Sequence, residues 1–186
     1  MRRPSTGSLT GSDRQRLVPL RGRITRHVAG CCINRMLVLA AESPRQPLVI
    51  YIDSPGGSAT ESLPILSTID GIKCPVGTFC CGEVGGTAAL IAAHGKRGAR
   101  VALPSTRFSF KHLERDTRLD GLVERQQFLK LLAENLSHDA QKLPADILEW
   151  FRRGAEFTAQ EALKHGLIDL ISTSPSMPPH NVAGAE

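Results

Sequence analysis

Two apolar runs, each followed at once by a glycine-containing turn and a helical stretch, constrain this chain most. The first is Leu48-Val49-Ile50-Tyr51-Ile52, then Asp53-Ser54-Pro55-Gly56-Gly57-Ser58, then a helix predicted from Ala59 to Ile69. The second runs from Val76 to Cys81, turns through glycines, and enters a helix predicted from Thr87 to His94. A continuous apolar run is what a strand buried on both faces requires. Strands joined through helices are parallel, so the pattern predicts an α/β fold with a largely parallel sheet.

The remaining segments extend that pattern. Leu17-Val18-Pro19-Leu20 reads as a first strand, and Ile33, Met36, Leu37 and Ala40 share helical spacing within Val28 to Ala41. Arg100-Val101-Ala102-Leu103 and Arg107-Phe108-Ser109-Phe110 read as strands around a turn at Pro104. A long amphipathic helix is predicted from Leu122 to Lys142, and a further helical piece from Ala145 to Arg152. Thr158 and Glu161 have the spacing of a capping box, and the helix they open ends at Gly166. Leu167 to Ile171 reads as a terminal strand. The polar stretch 1–16 is expected to be a disordered arm, residues 17–173 one domain, and the Pro/Ser-rich stretch 174–186 a flexible tail.

Composition removes several function classes. The chain has 186 residues, enough for one self-sufficient core. Its net charge of +5 is scattered and comes with no nucleic-acid-binding motif, so no nucleic-acid partner is expected. No run approaches the ~18 apolar residues of a membrane span, and no apolar stretch follows Met1-Arg2-Arg3 as in a secretory signal. The five cysteines include two adjacent pairs, Cys31-Cys32 and Cys80-Cys81. An odd count without Cys-x-x-Cys fits reduced thiols in a cytoplasmic protein. Zinc held by both pairs is disfavoured because adjacent side chains diverge, so neither metal nor cofactor is expected.

Gly82-Glu83-Val84-Gly85-Gly86-Thr87-Ala88-Ala89 has the layout of a serine-protease nucleophile turn with glycine at the serine position. Tyr51-Ile52-Asp53-Ser54-Pro55-Gly56-Gly57-Ser58 resembles the Tyr-Ile-Asn-Ser-Pro-Gly-Gly motif of the ClpP family, the proteolytic subunits of the Clp protease. Cys80 to Gly82, Ala102-Leu103-Pro104-Ser105-Thr106-Arg107 and the block from Phe157 to Asp169 match further family segments in order. The resemblance spans Leu17 to Ser172 and needs no gap from Ser54 to Arg107. It implies the ClpP/crotonase-like fold, repeated βαβ units with a protruding handle helix, for which Leu122–Lys142 is the candidate. It also implies assembly into seven-subunit rings that stack.

The same resemblance locates the catalytic positions. A Ser-His-Asp triad needs a hydroxyl on a sharp turn, an imidazole to take its proton and a carboxylate to orient the imidazole. These roles fall on Gly86, Lys111 and Gly154, none of which supplies the required group. Thr87 and His112 each stand one position further along, so a shifted Thr-His pair is the alternative, with Glu83 or Glu114 as orienter. Against it, one residue along a strand reverses the side chain's face unless a bulge intervenes. The backbone amides of Gly57 and Thr87 match the family's oxyanion donors. A tight strand-to-helix turn also calls for glycines here, with no function attached.

The expected function is therefore that of a Clp protease subunit homologue lacking peptidase activity, a structural or regulatory member of a homo- or hetero-oligomeric ring. Two alternatives remain open at this level: an active peptidase rewired through Thr87 and His112, and a crotonase-type acyl-transforming enzyme using the Gly57/Thr87 amides. The family's aromatic docking positions for its ATPase fall on Val49 and Gly71, although Tyr51 and Phe79 keep apolar bulk, and the arm lacks a strand pattern, so docking of an ATPase partner is disfavoured.

Overall fold

The computed structural model describes residues 16–110 and 144–173. The arm up to residue 15, the handle candidate Leu122–Lys142, Lys111, His112, Glu114 and the tail 174–186 lie outside the described residues.

Strands β1 (Leu17–Arg21), β2 (Leu48–Ser54), β3 (Val76–Gly85), β4 (Arg100–Ala102) and β7 (Leu170–Ile171) lie side by side, every pairing parallel. Helices α1 (Arg26–Glu42), α2 (Ala59–Gly71) and α3 (Gly86–His94) carry the crossovers. Two further strands, β5 (Arg107–Ser109) and β6 (Glu156–Thr158), extend the far end of β3. They are joined through α4 (Pro144–Arg153), and α5 (Ala159–Lys164) follows. The expected α/β architecture with a parallel sheet is what the structure has, and β6, antiparallel to β5, is its one described antiparallel strand.

Strand β3 changes partner along its length. Thr78 to Cys80 pair with β4, whereas Glu83 to Gly85 pair with β5. Gly82, at φ +58°, marks the break, and the β2 register shifts there too, from Ile52↔Cys80 to Ser54↔Val84. Gly82 and Gly85, read from sequence as part of a turn after Cys81, are therefore still strand, bent by a bulge. This bend carries the chain past β4 and delivers Gly86 to the end of β5.

Helices cover one face. Val18, Leu20, Ile50, Ile52 and Cys80 join Met36, Leu39, Ile65 and Leu90 in the main core. Helix α3 is buried from Gly86 to Ala93, so its small residues let it sit close on the sheet. The opposite face holds a smaller cluster of Val49, Phe79, Cys81 and Val101, with the Tyr51 and Phe79 rings stacked at 5.8 Å. No residue of a described helix enters that cluster.

Local signals fix the ends. Thr25 caps α1, Ser58 caps α2, and Thr158 with Glu161 forms the full capping box of α5. The terminal strand is shorter than expected. Leu167 N–H donates to Ala162 O as part of the helix cap, and only Leu170–Ile171 joins the sheet. Arg16, at the edge of the expected arm, is buried. It donates to the carbonyls of Leu39, Ser43, Gln46 and Pro47, tying the end of α1 to the entry of β2. Among the described residues no helix is long and apolar enough to cross a membrane, and no group of three metal-ligating side chains occurs. The five cysteines are free thiols.

Candidate active site

Two backbone turns press against each other at the ends of β2 and β3. The first, Ser54 to Ser58, is held to the β1–α1 connection. Ile24 N–H donates to Gly56 O at 2.9 Å and Ser58 N–H to Ile24 O at 3.2 Å, a parallel bridge between Ile24 and Gly57. The turn is closed internally by Gly56 N–H, which donates to Ser54 Oγ at 3.1 Å. The second turn is Gly85-Gly86-Thr87, the start of α3.

Space explains most of the glycines. A Cβ on Gly56 would stand 2.5 Å from Gly85 O, and one on Gly85 would stand 2.5 Å from Pro55 O. A Cβ on Gly57 would stand 2.7 Å from Ile24 N and closer still to Ile24 O. These are backbone atoms and cannot swing aside. Gly86 differs. A Cβ there meets only Pro55 O, at 3.9 Å, an ordinary contact. What favours glycine at 86 is φ of +46°, a left-handed value that costs other residues about 1–2 kcal/mol. The turn therefore has room for a side chain at position 86 and holds none. Gly86→Ser is expected to fold with a cooperative melt and to lose about 1–2 kcal/mol, read from thermal unfolding by circular dichroism.

Register brings the end of β5 and Gly154 to the same place. Gly85 pairs with Ser109, and Ser109 pairs with Glu156, a row across β3, β5 and β6. Phe110, the residue before Lys111, donates its N–H to Ala155 O at 2.9 Å. So Gly86, Phe110 and Gly154 all stand at one end of this row. Lys111 and His112 themselves lie outside the described residues.

Gly154 has a structural task of its own. It follows α4 at φ +62°. Its N–H donates to Phe151 O at 3.3 Å, and Ala155 N–H donates to Trp150 O at 2.8 Å. That is a Schellman cap, in which glycine is the favoured residue because it has no Cβ. Behind it, Phe110 packs edge-on to Phe151 at 5.0 Å and to Phe157 at 5.5 Å, fixing the end of β5 against α4 and β6.

Thr87 is fully buried. Its Oγ1 accepts the Gly57 N–H at 3.1 Å and lies 3.5 Å from Gly57 O. The sequence placed both residues in the site but gave no sign of this bond between positions 30 apart. The nearby thiols are poor nucleophiles. Burial pushes the Cys80 thiol up, reinforced by Cys81, and burial likewise raises Cys81, so both stay protonated at neutral pH. Asp53, beside Gly82, faces Arg21 at 3.7 Å, a loose exposed pair of little energetic weight.

A family model for the Clp protease matches residues 8–175. The chain belongs to the Clp protease family. The described βαβ units and parallel sheet agree with the fold of that family.

Proposed function

We propose that this chain is a ClpP-like subunit without peptidase activity that serves as a structural or regulatory member of an oligomeric ring, with copies of itself or with active relatives. In this reading residues 17–173 form the ClpP-like domain, flanked by an arm over 1–16 and a tail over 174–186, and the protein works in the cytoplasm without a cofactor. The observation that carries the reading is Gly86. The turn has room for a nucleophilic side chain and supplies none. Vacancy at 111 and 154 extends the same loss to the base and its orienter, the two groups a hydroxyl nucleophile requires. The burial of Thr87 and its bond to Gly57 weigh against its use as a substitute nucleophile.

The purified protein is expected to hydrolyse short fluorogenic peptides no faster than buffer and to run in native mass spectrometry at a multiple of the chain mass. Turnover that disappears in Thr87→Ala would replace this reading with the rewired hydrolase. A strictly monomeric mass would remove the ring role.

A further inference from the structure

The Gly57 amide is singled out by the way its turn is tied down. The bridge to Ile24 uses the carbonyl of Gly56 and the N–H of Ser58. In a parallel bridge the N–H and C=O of the central residue point to the other side. Gly57 N–H is thus aimed across the gap at α3, where an acyl oxygen would have to arrive to be polarised. That place is taken. Thr87 Oγ1 accepts the N–H at 3.1 Å, and the same hydroxyl is within 3.5 Å of Gly57 O, to which it can donate. One oxygen satisfies both backbone groups of one glycine, and no exposed surface remains on Thr87.

We propose that Thr87 is an internal ligand of the Gly57 amide. Its hydroxyl stands in for the carbonyl oxygen of a peptide, and it closes the turn to acyl groups independently of the missing nucleophile. The inference rests on reading the Gly57/Thr87 turn as the frame of a peptidase site. It adds a second barrier to activity, so a serine restored at 86 meets an oxyanion donor already in use. Three substitutions separate the components of the plug. Serine keeps the hydroxyl. Valine keeps the bulk but has no acceptor. Alanine removes both and leaves the Thr87 backbone amide in place at the helix start.

The test is amide hydrogen exchange at Gly57 in the full chain, with and without N-acetyl-Leu-Leu, whose carboxylate mimics a product oxyanion. The native protein and Thr87→Ser are expected to hold the Gly57 amide equally protected, with no change on adding the peptide. Thr87→Ala is expected to exchange it about tenfold faster and to regain protection as the peptide saturates. Thr87→Val is expected to exchange faster without any response to peptide. The inference is overturned if the native Gly57 amide exchanges like an open loop, if the native protein already gains protection from the peptide, or if Thr87→Ala leaves exchange unchanged. Hydrolysis of fluorogenic peptides by the native protein would overturn the non-catalytic reading instead, and the exchange measurement does not depend on that result.

Discussion

Gly57→Ala is expected to lower stability by about 3–4 kcal/mol, a fall of roughly 10 °C in melting temperature. The added Cβ would meet the backbone of Ile24, 2.7 Å from its nitrogen and closer still to its carbonyl oxygen. A flexible side chain could rotate away, but these atoms belong to the bridge that fixes the first turn. The two backbone hydrogen bonds, Ile24 N–H to Gly56 O and Ser58 N–H to Ile24 O, must lengthen or break to admit the methyl group. Movement of Gly57 away from Ile24 is opposed as well, because on its other side its N–H is already held by Thr87 Oγ1 at 3.1 Å. A melt of Gly57→Ala beside Gly86→Ala checks the argument. Glycine 57 is required by space and glycine 86 only by its φ of +46°, so the second variant should lose about 1–2 kcal/mol and no more. Equal losses would show that the turns relax freely.

That contrast bears on why Gly86 carries the functional reading. If all four glycines of the paired turns were crowded alike, the one at 86 would be explained by packing. Three of them are. The fourth occupies a bend that tolerates a side chain at modest cost, on a strand bulged at Gly82 in a way that carries position 86 to the end of β5. At 86, then, glycine is favoured by backbone conformation alone and is not demanded by its neighbours.

What the sequence revealed follows the range of the interactions involved. The β2 run, the helix start at Ala59 and the Thr158–Glu161 capping box depend on residues a few positions apart, so they were legible. The glycines after Cys81 were read as a turn because glycine usually punctuates. The pairing of Glu83 to Gly85 with Arg107 to Ser109 comes from a strand more than twenty residues away and keeps this stretch in the sheet. Strand β6 has three residues and exists through its partner β5, which leaves almost no local signal. The same holds in the site. Glycine at 86 could be read from the motif around it. The Thr87–Gly57 bond could not, because its partners meet only once the two βα turns are packed together.

The largest electrostatic effect expected is at the far edge of the sheet, where Asp169→Ala should cost about 3 kcal/mol, or ~6–12 °C in melting temperature. Arg100 is only 3% exposed. Its Nε donates to Asp169 Oδ2 at 2.9 Å and its Nη2 to Oδ1, a two-point pairing, while Nη1 donates to the carbonyls of Ala93 and Gly166. Asp169 also accepts the N–H groups of Gly98 and Arg100, at 2.7 and 3.1 Å. One pair thus joins the end of α3, β4 and the segment that leads from α5 into β7. Removing the carboxylate leaves a guanidinium buried without its counter-charge, the costly half of a broken pair. The sign of the pH dependence follows from the same contacts. Burial works against the Asp169 charge, but the Arg100 guanidinium and the two amides outweigh it and hold the carboxyl below its ordinary value of 3.8. A depressed carboxylate stabilises the fold fully above that value, and the contribution disappears as pH falls through the folded-state pKa. The native protein should therefore keep this stability from neutral pH down to about pH 4 and lose it below. Asp169→Ala should melt lower across the whole range from pH 5 to 8, by the same amount throughout, with the gap to the native protein narrowing only in acid. A gap that instead narrowed between pH 5 and 8 would mean that another group carries the load.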